Sequence, residues 1–280
     1  MADPAQNLAA WAARGAAVKA VVLIGSRARP AEDDLGQADA ESDWDFHVIT
    51  SQPGVFTQPA WTAALGAGAP LAYVDRLGVL GTARKISAVF QGMELDLVVL
   101  PAWRLQLAQV AMSLGLHRQS AELRRALGDL AVVLRPGYRF LHGAAGWETF
   151  YRKVVAEVPD PRLDNADALR LAQGFVCDYL WLQRKVARGE LVAARRMLHR
   201  GLGEVNLQLA HELRLRRGER SFPDGRRLER THPAAELAGL AVAGDGSAEA
   251  LRVAAGQCAA TLNTLLAGLV GADWRWPLGQ

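Results

Sequence analysis

Two kinds of apolar pattern divide this chain. In its first half the apolar residues come in runs of strand length, bounded by glycine, proline and acidic residues. "VKAVVLIG" (18–25) is continuous, valine-rich and stopped by Gly25. "DWDFHVIT" (43–50) follows an acidic loop and predicts a second strand. "PLAYVDR" (70–76), "RKISAVFQG" (84–92) and "MELDLVVLP" (93–101) predict three more, the last closed by Pro101. "LAVVLRPG" (130–137) reads as a further strand ending in a Pro-Gly turn. Residues 9–14 predict part of a short N-terminal helix, and residues 103–114 another.

From Gly146 onward the period becomes helical. Leu171, Phe175, Tyr179, Leu182 and Val186 recur at spacings of three and four, which gives one apolar face. Asp164 is placed to cap that helix and Gly189 to end it. A second helix starts at Glu190 and carries Leu191, Leu198, Leu202, Val205, Leu209 and Leu213. "RGERSFPDGRRLERTHP" (217–233) reads as a loop, and Ser247 as the cap of a last helix reaching about Val270. Strands followed by helices predict an α+β protein. Its N-terminal domain (1–140) has a mixed β-sheet with flanking helices, and its C-terminal domain (141–280) is a helical bundle.

Composition narrows this picture. Half of the 280 residues are hydrophobic, enough for a sizeable core, yet no apolar stretch approaches the ~20 residues of a membrane helix. The N-terminus has an early Asp3 and no basic region leading into an apolar core, so no signal peptide is expected. Cys177 and Cys258 make neither a disulfide framework nor zinc spacing, and small buried hydrophobes are expected. The reading is a cytoplasmic protein with no membrane partner. The net charge is only +3 and neither half carries a strong excess of one sign. Nucleic acid is therefore not an expected partner.

The chemistry lies between the first two strands. Side chains repeat every two residues along a strand, so Asp43 and Asp45 share a face with Cα atoms about 6.5–7 Å apart. Two converging carboxylates repel unless a cation sits between them, and oxygen-only ligation suits Mg²⁺. Gly25 permits close backbone approach to a ligand, and Ser26 offers its N–H and hydroxyl to a phosphate. Arg27 and Arg29 follow, with charge to neutralise phosphate. Asp96, central in "MELDLVVLP", supplies a third carboxylate from another strand.

These separated elements resemble the signature of the polymerase-β-like nucleotidyltransferase superfamily. Within it, "IGSRARP…SDWDFHVIT" is most similar to the aminoglycoside 6-adenylyltransferases, the streptomycin-modifying family. That family shows Gly-Ser-Arg-Ala, Asp-aromatic-Asp, a third acidic strand residue and a C-terminal helical domain. Trp44 is the aromatic here, and "FVCDYLWLQRKVARGEL" is similar to the family's helical domain. The resemblance implies Mg²⁺-dependent transfer of AMP from ATP to a hydroxyl of a small molecule, with release of pyrophosphate. It implies that Asp43 and Asp45 bind metal and that Asp96 either completes the metal site or acts as base. Gly25, Ser26 and Arg27 would bind the nucleotide. An RNA or protein hydroxyl as acceptor, and an inactive nucleotide-binding sensor, remain alternatives.

Each feature also has an ordinary reading. Gly-Ser after a strand is usually a turn, and Asp-x-Asp is usually polar surface; the order of all three elements with Asp96 gives them weight. His47 shares the aspartate face but reads as a strand residue beyond the site. The arginines at 214, 216, 217, 220, 226, 227 and 230 read as a solvated helix end and loop. Among Asp160, Asp164, Asp167 and Asp178, capping explains the middle two. Asp178 is therefore the candidate to face a cationic acceptor. His142, His199 and His211 lack a zinc arrangement, and no Gly-x4-Gly-Lys phosphate loop is present.

Overall fold

The Asp3 carboxylate accepts the Ala5 N–H at 2.9 Å and starts helix α1 (Pro4–Ala13), with proline in its first turn, where no N–H is missed. The structure is a computed structural model that describes residues 3–77, 83–242 and 246–278. Strand β1 (Val18–Ile24) is buried at every position but one, as a continuous apolar run requires. β2 (Trp44–Thr50), β3 (Ala72–Leu77), β4 (Arg84–Phe90) and β5 (Met93–Pro101) follow. Next come α2 (Ala102–Ser113), α3 (Ala121–Leu134), β6 (Arg139–His142) and α4 (Glu148–Glu157). The strands form one mixed sheet in the order β3-β4-β5-β2-β1-β6. Only β2 and β5 run parallel; the other neighbours are antiparallel.

Alternation along the strands builds two cores. Val21, Leu23, Phe46, Val48, Leu95 and Leu97 pack one face against α1 and the 53–65 segment, with Phe56 and Trp61. Ala20, Val22, Ile24 and Ile49 face the other way, onto α2, α3 and α4 with Leu127, Leu134, Phe150 and Tyr151. Asp45 pairs with Ile24 across the ladder and so points to this second face.

Residues 130–137 are not a strand. Leu127, Leu130, Ala131 and Leu134 lie on the inner face of α3, which Ser120 caps by accepting the Leu123 N–H at 3.2 Å. The short window hid a helix that begins upstream. The edge strand is instead β6, beyond Gly137, whose place is tight: a Cβ there would sit 2.5 Å from the Ala28 carbonyl oxygen.

The second unit is helical. α5 (Asn165–Ala187) starts in a capping box, Asp164 and Asp167 each accepting the other's backbone N–H. α6 (Leu191–Met197) runs through a π-helical turn (Leu198–Gly203) into α7 (Glu204–Arg216). The short α8 (Leu228–Thr231) and α9 (Ala234–Leu240) precede α10 (Ala248–Leu269), which Ser247 caps. Phe175, Leu182, Leu202, Leu209, Leu262 and Leu266 centre its core. The compact units are Met1–Pro161 and Arg162–Gln280. The boundary expected near residue 140 therefore falls later, because β6 pairs with β1 and α4 buries Phe150 and Tyr151 on the sheet. Cys258 is buried as expected, whereas Cys177 is exposed. Among the described residues no helix is long and apolar enough to cross a membrane.

Candidate functional site

The site is built where β1 ends and β2 begins. Gly25 has φ +71° and ψ −157°, a conformation essentially reserved for glycine. It turns the chain into a short 3-10 turn (Ser26–Ala28) and lies directly against Asp45: a Cβ would meet Asp45 Oδ2 at 2.1 Å. The Gly-Ser pair is thus both a turn and the wall of a carboxylate site. The Ser26 hydroxyl makes no hydrogen bond to any described residue.

Arg27 turns back onto the segment that carries the aspartates. Its Nε donates to the Asp43 carbonyl oxygen at 3.0 Å and its Nη2 to the Ser42 carbonyl oxygen at 2.5 Å. The guanidinium lies 4.4 Å from the centre of the Trp44 ring, which itself stacks on Phe46. Trp44 is therefore the platform that fixes Arg27, and Arg27 fixes the backbone of Asp43. Arg29 goes elsewhere and pairs with Asp33 at 3.6 Å, both largely buried, in the loop before β2.

Asp43 precedes β2, Asp45 is within it, and Asp96 sits beside Asp45 in the parallel β2–β5 ladder. Oxygens of the three carboxylates lie within 4.8 Å of one another, all half-buried. Asp96 Oδ1 is buried without a hydrogen-bond partner. Three convergent carboxylates and an unfilled acceptor fit a hard divalent cation such as Mg²⁺.

Among solved structures the chain is similar to an aminoglycoside 6-adenyltransferase from Bacillus subtilis, at 13% identity and a TM-score of 0.41, over 99% of this chain and 94% of that one. It is also similar to a nucleotidyltransferase-like protein from Exiguobacterium sibiricum 255-15, at 12% identity and a TM-score of 0.36, over 95% of this chain and 74% of that one. No family model matches the chain, and no curated protein matches it. At such distances the chemistry has to be read from this chain's own side chains.

His47, two residues beyond Asp45 on the same face, is buried, and its Nδ1 lies 3.2 Å from the Tyr151 hydroxyl. Burial lowers its pKa from 6.5 to about 4. It is neutral at neutral pH and adds no charge to this face of the strand. Burial likewise raises the Tyr151 pKa.

Sequence reasoning missed Lys85. Its ammonium sits 2.7 Å from Asp96 Oδ2, reached from β4 across the β4–β5 ladder. The arginine-rich stretch is largely absorbed by its own unit. Arg216 bonds Glu212, Asn165 and the Leu163 and Leu269 carbonyls, Arg214 pairs with Glu219, and Arg220 and Arg227 approach the Phe222 ring. Asp160 pairs with Arg135. Asp178 differs from these. It is half-buried on α5, makes no ion pair or hydrogen bond with any described residue, and abuts the π-helical turn, where a Cβ on Gly201 would meet its Oδ2 at 2.7 Å.

Proposed function

We propose that the protein is a nucleotidyltransferase that moves AMP from ATP to a hydroxyl of a small cationic molecule, of which an aminoglycoside such as streptomycin is the type. The observation that carries this reading is the convergence of Asp43, Asp45 and Asp96 beside the Gly25 and Ser26 turn. A bound Mg²⁺ would be held by these carboxylates and would supply charge neutralisation and orientation of the triphosphate.

The chain's own groups do the rest. Gly25 presents a backbone without a side chain at the mouth of the cluster, so a phosphate can approach closely. Ser26 donates its free hydroxyl to a phosphate oxygen. Arg27 holds Asp43 in place and keeps further N–H groups for the nucleotide. Asp96 takes the proton of the acceptor hydroxyl, and its unfilled Oδ1 is suited to receive it. The acceptor oxygen bonds to the α-phosphorus, the α–β bridging P–O bond breaks, and pyrophosphate leaves with the bridging oxygen. Asp178, a half-buried carboxylate without a partner next to a π-helical turn, is suited to an ammonium group of the acceptor.

A cationic acceptor is favoured over an RNA end because the net charge is +3 and much of the arginine-rich stretch is tied up within its unit. Incubation with labelled ATP, Mg²⁺ and a panel of aminoglycosides tests the reading. The expected result is an acceptor heavier by one AMP together with pyrophosphate. Transfer to RNA or protein alone would replace the acceptor, and binding of ATP without any transfer would favour a sensor.

A further inference from the structure

The β4–β5 hairpin turns at Gln91 and Gly92 with Phe90 opposite Met93, which sets Ser87 directly opposite Asp96. Lys85 is then the diagonal neighbour of Asp96 on the same face, within reach of a long side chain. Its ammonium occupies one oxygen of the carboxylate, Oδ2, while the other, Oδ1, has no hydrogen-bond partner. The Lys85 side chain is 49% exposed and that of Asp96 14%. The lysine therefore leans in from solvent over a carboxylate that faces the cluster. Arg76 stands opposite Lys85 in the β3–β4 ladder, so the same face continues as a positive strip away from the aspartates.

We propose that Lys85 is the built-in counter-ion of the carboxylate cluster, displaced from Asp96 when a divalent cation enters and then offered, with Arg76 behind it, to the anionic phosphates of the nucleotide or of pyrophosphate. This rests on the metal-binding reading of the cluster given above. Three carboxylates within 4.8 Å of one another carry a repulsion that a lysine at 2.7 Å partly relieves. An ammonium and a divalent cation on one carboxylate lie only a few ångströms apart and repel each other whichever oxygen each takes, so each weakens the hold of the other. Lysine suits this exchange better than arginine, since its charge is compact, well hydrated and carried on a flexible stem with an open path to solvent. Once released, it stays within a side chain's length of the cluster, next to where a cation-bound phosphate must lie.

The two halves of the proposal predict effects of opposite sign. In Lys85→Met, the full chain titrated with Mg²⁺ or Mn²⁺ alone, without nucleotide, should bind the cation about five- to tenfold more tightly than the wild type, because no competitor remains. In saturating Mg²⁺ the same variant should bind inorganic pyrophosphate about tenfold more weakly. Lys85→Arg should restore most of the pyrophosphate affinity, and Lys85→Gln provides a second neutral variant with a hydrogen-bonding end. A purely structural lysine would move the thermal midpoint and neither titration. Cation affinity unchanged or weakened in both neutral variants overturns the counter-ion role. Unchanged pyrophosphate affinity overturns the phosphate role. A wild-type protein that binds no divalent cation overturns the metal reading itself, a result distinct from a wild type that binds cation and a variant that does not differ.

Discussion

Gly25 and Asp45 touch so closely that any side chain on the glycine would occupy the position of the aspartate carboxylate, 2.1 Å from its Oδ2. The contact ties the end of one strand to the chemistry of the next. It predicts that Gly25→Ala harms both at once. The φ of +71° costs a non-glycine residue about 1–3 kcal/mol of strain, and the methyl group must also push Asp45 aside. The expected outcome is a lowered thermal midpoint together with loss of the Mg²⁺-dependent rise in that midpoint. An alanine variant that still binds Mg²⁺ like the wild type would show that Asp45 is not held by this contact.

Arg27 meets the carbonyls of Ser42 and Asp43 and the face of Trp44, so its geometry requires a planar guanidinium. Arg27→Lys keeps the charge and loses the fork. Hydrogen bonds to charged groups are worth about 1.5–3 kcal/mol each, so loss of one lowers affinity for the Mg²⁺–nucleotide complex by about tenfold or more. Calorimetry on a folded Arg27→Lys protein checks this. Equal affinity would mean that charge alone matters at this position.

In the helical unit, Glu212 is the buried centre of a clamp. Arg162 bonds it twice through Nε and once through Nη2 at 2.8 Å, the Leu163 N–H at 3.1 Å, and Arg216 at 3.0 Å. Burial alone would raise the Glu212 pKa, but the bonds from Arg162, Leu163 and Arg216 outweigh it and the pKa is lowered from 4.5. A lowered folded-state pKa stabilises the fold above the unfolded value, and that contribution is lost as pH falls through the folded value. The wild type should therefore lose stability below about pH 4.5, and Glu212→Gln should lose less over the same range. At pH 7 the variant should be less stable, at the lower end of about 3–5 kcal/mol, because both arginines remain partly open to water. Urea midpoints at pH 7 and below pH 4.5 measure both. Parallel pH profiles for the two proteins would remove Glu212 from the acid response.

Much of the sheet and the site could be read from the chain because short-range rules govern them. β1 and β2 are bounded by residues that stop strands, and strict alternation brings Asp43 and Asp45 to one side. Convergence with Asp96 followed from its central place in β5, although the parallel β2–β5 pairing that puts it beside Asp45 is a tertiary fact. Residues 130–137 mislead because five consecutive apolar residues (130–134) fit either period, and only Leu127 and Leu123 upstream reveal the helix. Lys85 was in principle legible. A two-residue hairpin loop at Gln91 and Gly92 fixes the register, and counting back from it sets Ser87 against Asp96 and Lys85 one step along the same face. The π-helical turn beside Asp178 left no signal beyond two glycines, Gly201 and Gly203, because it depends on how α6 and α7 pack in their unit.

Asp96 is where the roles of base, metal ligand and structural carboxylate meet, and one substitution separates them. Asp96→Asn keeps the size of the side chain and leaves Asp43 and Asp45 in place. As the base, Asp96 would be needed only for proton removal, so the variant should keep most Mg²⁺ and triphosphate affinity while turnover falls by about 10²–10⁴-fold. As mainly a metal ligand, it would also raise the Mg²⁺ concentration needed for half-maximal rate. As a structural carboxylate paired with Lys85 at 2.7 Å, it would change the thermal midpoint more than the rate. The pair is partly open to water, so that change should stay within about 1 kcal/mol. A nucleotide sensor would show no turnover in either protein. The buried and unpartnered Oδ1 favours the base, because an oxygen with no bond to break can take a proton without first losing a partner. Thermal midpoint, Mg²⁺ titration and turnover, measured on the same preparation, decide among the four. Full activity of Asp96→Asn at ordinary Mg²⁺ would remove Asp96 from the chemistry and leave the reaction without its base.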